Sequence, residues 1–235
     1  MSTSGEFGPV QVAAQAGRDT LIANAALPGG RVGDAIVRFT AGDRTNHWIV
    51  ALAFICTALS GLALFHPSLF WLSNIFGGGP WTRVLHPFFG LTMVIGFAFL
   101  VFRFYGYNRM TAADWRALPH LGEVEAGRYN AGQKLLFLLW MTCLAVLLVT
   151  GFLFWRPYFA GYFPIPLIRV AALLHSFFAF VLISFVIGHV YFALSVRGSI
   201  WAMTRGTVTL GWAWRNHRAW FREVTRAART RSGTD

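Results

Sequence analysis

Four histidines stand in or at the edge of uncharged, apolar runs of this chain: His47, His86, His175 and His189. An ionisable ring in a hydrocarbon setting is costly, and where one persists it usually carries function. A neutral imidazole is also the commonest metal ligand among side chains. The stretch LLHSFFAFVLISFVIGHVYF holds two of the four, fourteen residues apart. On an α-helix that spacing is about 21 Å and just under four turns, so both rings share one face at two depths.

The elements that must position these rings are membrane spans. Of the 235 residues 56% are hydrophobic and only 12% charged, against about 25% charged in soluble domains. Four uncharged runs approach or exceed the roughly 20 residues that cross a bilayer: His47–Phe65, Val84–Phe102, Leu135–Trp155 and Val170–Val196. The expected fold class is an all-α integral membrane protein, a four-helix transmembrane bundle. In chain order it divides into a polar arm (1–44), a four-span domain (45–196) and a basic tail (197–235).

Charge sets the expected orientation. The N-terminal segment carries four Lys or Arg, the loop after the second span five and the tail eight, whereas the two opposite loops share three, Arg83, Arg156 and Arg169. Basic residues collect on the cytoplasmic side, so both termini are expected inside. The same flanking arrangement explains the net charge of +11 better than nucleic-acid binding does, and makes membrane lipid the partner. The tail's arginines fix topology, form an interfacial helix on anionic lipid, or dock a partner subunit. The Ala/Gly-rich first forty residues read as a flexible arm or one ordered by a partner. They lack the long apolar core of a cleavable signal peptide. Cys56 and Cys143 sit in different spans without CxxC spacing and read as small core residues.

With this topology the histidines sort by depth. Pro87 suits the first turn of a helix and places His86 at the outer end of span two. His175 lies near the outer end of span four, while His47 and His189 lie toward the inside. Depth thus pairs His86 with His175 and His47 with His189. Two facing histidines in a four-helix bundle supply both axial ligands of a haem iron, and the apolar helices sandwich the ring. Zinc fits less well, because no Cys, Asp or Glu is placed to complete a tetrahedral site. Proton relays usually add carboxylates, which the spans lack. Gly61, Gly90, Gly96, Gly151 and Gly188 allow close approach, to a helix or to a flat ring. His66, beside Pro67, is a minor competitor for the outer iron. His120 and His217 are expected to be solvated in loop and tail.

Longer motifs now add to the histidines. NHW (46–48), ALSGLALF (58–65), RVLHPFFG (83–90), RYNAGQKLLF (128–137), VTGFLFWRPYFAGYFP (149–164), LLHSFFAF (173–180), IGHVYFA (187–193) and VRGSIWAMTRGTV (196–208) resemble the gamma subunit, a membrane cytochrome b, of respiratory formate dehydrogenase. The likeness runs from about Thr45 to Val224. RYNAGQK and WRPYFA–YFP carry its specificity; the histidines alone also fit cytochromes b of hydrogenases and thiosulfate reductase. The resemblance implies two haem b groups, held by His86 with His175 near the periplasm and by His47 with His189 near the cytoplasm. It also implies a quinone site with Asn130, Gly132 and Gln133, although Asn130 equally suits a helix N-cap. It further implies a bacterial inner membrane location, with an iron–sulfur beta subunit and a molybdenum- or tungsten-pterin alpha subunit as partners. Formate oxidation would lie on the alpha subunit. The long arm and His66 depart from the pattern. A haem-free membrane anchor is the alternative from a different class.

Overall fold

The computed structural model describes residues 24–26, 32–120, 126–156 and 158–232, with backbone only for 24–26, 32–34 and 227–232. Four helices are long and apolar enough to cross a membrane: α1 (Ala41–Phe65), α2 (Gly79–Asn108), α4 (Ala131–Phe154) and α5 (Ile165–Ser195). Shorter helices fill the rest: α3 (Ala112–Ala117), α6 (Ser199–Thr204), α7 (Leu210–Asn216) and α8 (Arg218–Ser232). The chain is therefore a multi-pass, overwhelmingly helical membrane protein.

The spans run longer than the apolar runs because their ends are built by polar residues. Thr40 and Asp43 cap α1 reciprocally: Asp43 N donates to Thr40 Oγ1 at 3.2 Å and Thr40 N to Asp43 Oδ2 at 3.0 Å. Thr111 and Asp114 do the same for α3. Each box satisfies two helix-end donors that would otherwise be orphaned. At α2 the proline expectation is corrected. The helix starts at Gly79, so Pro87 lies inside it rather than in its first turn. Without an N–H, Pro87 gives nothing to the carbonyl of Arg83, a loss that packed transmembrane helices tolerate. His86 accordingly sits two turns into the helix. Before it, Pro67–Phe76 folds as a 3₁₀ helix, ended by Gly77 and Gly78 at φ of 86° and 94°.

The described residues gather into two compact units. One comprises Thr45–Tyr105 and Leu136–Phe192 and holds the bulk of the four spans. Its core is Ala53, Met93, Phe97, Cys143, Leu144 and Leu182, so all four helices contribute. Gly96 brings α1 and α2 together: a methyl there would sit 2.7 Å from Val50 Cγ2, and Asn46 Nδ2 donates to the Gly96 carbonyl at 2.9 Å. Large apolar side chains point outward, Phe102 at 85% and Leu173 at 72% exposure. Only lipid or a partner makes that arrangement favourable.

The other unit joins the described residues up to Arg44 with Gly106–Leu135 and Ala193 onward. It contains the one departure from an all-helical chain among the described residues: a small antiparallel sheet in the order β1 (Asn24–Ala26), β2 (Val32–Val37), β3 (Thr207–Thr209). In its β2–β3 ladder Ile36 faces Val208, and both are buried. Gly206 then turns at φ 84°, and its carbonyl accepts from Arg38 N and Phe39 N. Within the arm expected to be flexible or ordered by a partner, Ala35, Ile36, Arg38 and Phe39 are buried. Its first part, 1–23 and 27–31, falls outside the described residues.

Candidate metal centre

The four histidines meet in the two combinations that depth suggested. His86 on α2 and His175 on α5 have ring centres 6.3 Å apart, and His47 on α1 and His189 on α5 have theirs 6.4 Å apart. An iron–nitrogen bond of about 2 Å, with each ring centre about 1 Å behind its nitrogen, asks for about 6 Å between the rings of two axial imidazoles. Both pairs fit that interval. Among the described residues no three His, Cys, Asp or Glu side chains converge, so each pair offers two nitrogens and nothing more. That donor set suits a macrocycle, which supplies its own equatorial nitrogens, rather than a bare tetrahedral ion. Aromatic edges wall both pairs: Phe154 lies 5.1 Å from His175 and Trp140 5.1 Å from His189.

The first pair is held by two hydroxyls that the sequence did not flag. Ser60 Oγ lies 2.9 Å from His86 Nδ1 and donates its own proton to the Cys56 carbonyl at 2.7 Å. Thr150 Oγ1 lies 2.9 Å from His175 Nδ1 and donates to the Val146 carbonyl at 2.6 Å. A hydroxyl has one proton, so with that proton given away each oxygen accepts from the ring. Nδ1 is then the protonated nitrogen and Nε2 carries the lone pair that can bind a metal. Each hydroxyl is followed by a glycine that clears the ring. A methyl on Gly61 would come within 3.1 Å of His86 Cε1, and one on Gly151 within 3.4 Å of His175 Cε1. The second pair is different: His47 Nδ1 is buried with no hydrogen-bond partner. Ser60-Gly61 and Thr150-Gly151 are visible as hydroxyl–glycine dipeptides, but hydroxyls in apolar helices ordinarily bond their own backbone, which hides this role.

The remaining candidates are spread more widely. His66 caps the 3₁₀ helix, its Nδ1 on Ser68 Oγ and N, and the ring beside His175 is that of His86. Asn130 and Gln133 form a third reciprocal cap: Gln133 N donates to Asn130 Oδ1 at 2.8 Å and Asn130 N to Gln133 Oε1 at 3.0 Å. Gly132 lies between them in the first turn of α4. Lys134 follows, paired with Asp114 at 2.8 Å. Arg83, Arg103, Arg156 and Arg169 are all exposed at span ends.

His217 corrects its expectation: it is buried, not solvated. Its Nδ1 donates to the Gly127 carbonyl at 2.8 Å and its Nε2 accepts from Arg38 Nη2 at 3.3 Å. Arg38 also donates to the Arg128 carbonyl, Arg128 donates back to the Arg38 carbonyl, and the Arg38 guanidinium lies over the Trp212 and Trp220 rings. Burial, with the Arg38 charge adding to it, pushes the His217 ring down to about 3, so it is neutral at physiological pH. Burial lowers Arg38 only to about 10 and it stays charged.

Known proteins resemble this chain over most of its length. Residues 38–206 match the family described as prokaryotic cytochrome b561. The chain is 46% identical over 198 residues to the formate dehydrogenase cytochrome b556(fdo) subunit of Escherichia coli K12, covering 81% of this chain and 94% of that protein. It is 40% identical over 201 residues to the nitrate-inducible formate dehydrogenase cytochrome b556(Fdn) subunit of the same organism, covering 82% and 93%. With the formate dehydrogenase cytochrome b556 subunit of Haemophilus influenzae it shares 38% over 197 residues, covering 80% and 83%. The chain belongs to the prokaryotic cytochrome b561 family, among the formate dehydrogenase cytochrome b556 subunits.

Proposed function

We propose that this membrane cytochrome b serves a formate dehydrogenase complex and holds two haem b groups, one on His86 and His175, the other on His47 and His189. The observation that carries the reading is the pair of ring separations, 6.3 Å and 6.4 Å, each spanning an interval that an iron fits. Haem, when bound, supplies reversible one-electron chemistry without proton transfer. The chain's own work is to hold and insulate. Apolar helices keep water from both sites, and the fourteen-residue spacing on α5 sets the sites about 21 Å apart along the helix.

Both termini are cytoplasmic in this reading, in a bacterial inner membrane, because Lys and Arg collect on that side. The first pair then lies toward the periplasm and the second toward the cytoplasm. In chain order the molecule is a polar arm (1–44), a cytochrome domain (45–196) and a basic tail (197–235). Quinone is the electron acceptor, bound at the start of α4 by Asn130, Gly132 and Gln133. The cap there uses the amide oxygens of Asn130 and Gln133. Their NH₂ groups are left as donors to a quinone carbonyl. Electrons come from an iron–sulfur beta subunit fed by a pterin-containing alpha subunit, where formate is oxidised.

Formate added to membranes carrying the assembled complex tests this. The b-type absorption should appear on formate addition and fade when a soluble quinone is added. A cytochrome that hydrogen reduces and formate does not would belong to a hydrogenase instead.

A further inference from the structure

The two histidine pairs differ in what stands behind them. Ser60 and Thr150, 0% and 5% exposed, each set a hydroxyl oxygen 2.9 Å from Nδ1 of His86 and of His175, where it can accept the ring proton. The two rings also bond the backbone of Thr57 and Leu147. These hydroxyls lie on different helices, α1 and α4, yet each anchors its own proton on a helix carbonyl and each is followed by a glycine pressed against the ring. The same device therefore occurs twice around one pair, once per ring. At the other pair His47 Nδ1 has no partner at all.

We propose that Ser60 and Thr150 are positioning residues that fix the tautomer and orientation of His86 and His175 and selectively lower the reduction potential of the haem held there. The inference rests on the two-haem reading. An acceptor on Nδ1–H leaves more electron density on Nε2, and a more basic axial ligand stabilises the ferric over the ferrous iron. With the hydroxyl proton anchored on a helix carbonyl, Ser60 and Thr150 accept from the ring rather than donate to it. The glycines serve the same end by letting the ring approach within hydrogen-bond distance of the helix that carries the hydroxyl.

The test is an optical redox titration of the assembled complex, with low-temperature EPR of the low-spin haems. Ser60→Ala, Thr150→Val and the double variant are compared with Ser60→Thr and Thr150→Ser, which keep the hydroxyls. The inference expects the reduction equilibrium of one haem to shift toward ferrous by up to about tenfold in the double variant. That is about 59 mV for a one-electron couple. The other haem should not move, and the hydroxyl-keeping variants should titrate like the wild type. If the double variant drops one haem, the single variants carry the measurement, and retention of that haem by the hydroxyl-keeping variants still supports positioning. An unmoved potential in hydroxyl-free variants that keep both haems overturns the inference, as does equal haem loss from the hydroxyl-keeping ones. Wild-type complex without two haems would instead overturn the reading beneath it.

Discussion

His217 is buried and His86 and His175 are half-buried, and the two kinds differ most in how their ring nitrogens are spent. His217 spends both ring nitrogens, one on the Gly127 carbonyl and one on Arg38. His86 and His175 spend Nδ1 on a hydroxyl, and each then faces another imidazole ring. The first arrangement is closed and ties together residues from the N-terminal segment, the polar loop and the tail. The second is open, because its tautomer leaves a lone pair on Nε2. What separates a ligand from a structural histidine is the number of nitrogens still unspent, and the geometry of whatever stands opposite.

Removing a ring from each kind should separate the two most visibly. His175→Ala and His189→Ala should each lose one haem and keep the other, counted by pyridine haemochrome. Retention of both haems by either variant would contradict the pairing. His217→Ala should leave the haem count untouched. Its cost is in folding, since Arg38 and the Gly127 carbonyl lose a buried partner: about 3 kcal/mol, read as a lower denaturant midpoint by tryptophan fluorescence.

Acidity sharpens the contrast. The unfolded chain takes a proton on residue 217 as pH falls through 6.5, whereas the folded chain resists until about 3. The folded form therefore loses stability across that window, by about 1.4 kcal/mol per pH unit. Fluorescence melts from pH 7.5 to 4.5 should be nearly flat above 6.5 and show this slope below it in the wild type, with a shallower one in His217→Gln. The smallest effect is steric. Gly61→Ala places a methyl 3.1 Å from His86 Cε1, so that ring must give by a few tenths of an ångström. The EPR signal of one haem should shift slightly and the other should stay as it was.

The parts legible in the sequence were those that follow from local pattern. Four apolar runs announced four spans, and the fourteen-residue spacing put His175 and His189 on one face, because helical periodicity is a property of neighbours. Where long-range contacts decide, the pattern was silent. Ile36 reads as one apolar residue in a Gly/Ala-rich arm, and only its register with Val208, far along the chain, buries it. His217 looked solvated because its tail is rich in arginine. In fact Arg38, from the other end of the chain, is the donor that makes a neutral ring there useful. Pro87 misled for a related reason: proline favours a first turn, but the packed spans hold the helix through it. Ser60 and Thr150 were invisible as partners because their role depends on which ring crosses from the neighbouring helix.

Haem stoichiometry decides whether the two histidine pairs hold two haems. A dithionite-reduced minus oxidised spectrum of the purified protein, quantified as pyridine haemochrome, should give two b-type haems per chain. A preparation that folds and carries none, or only one, would return at least one pair to hydrogen bonding and helix packing.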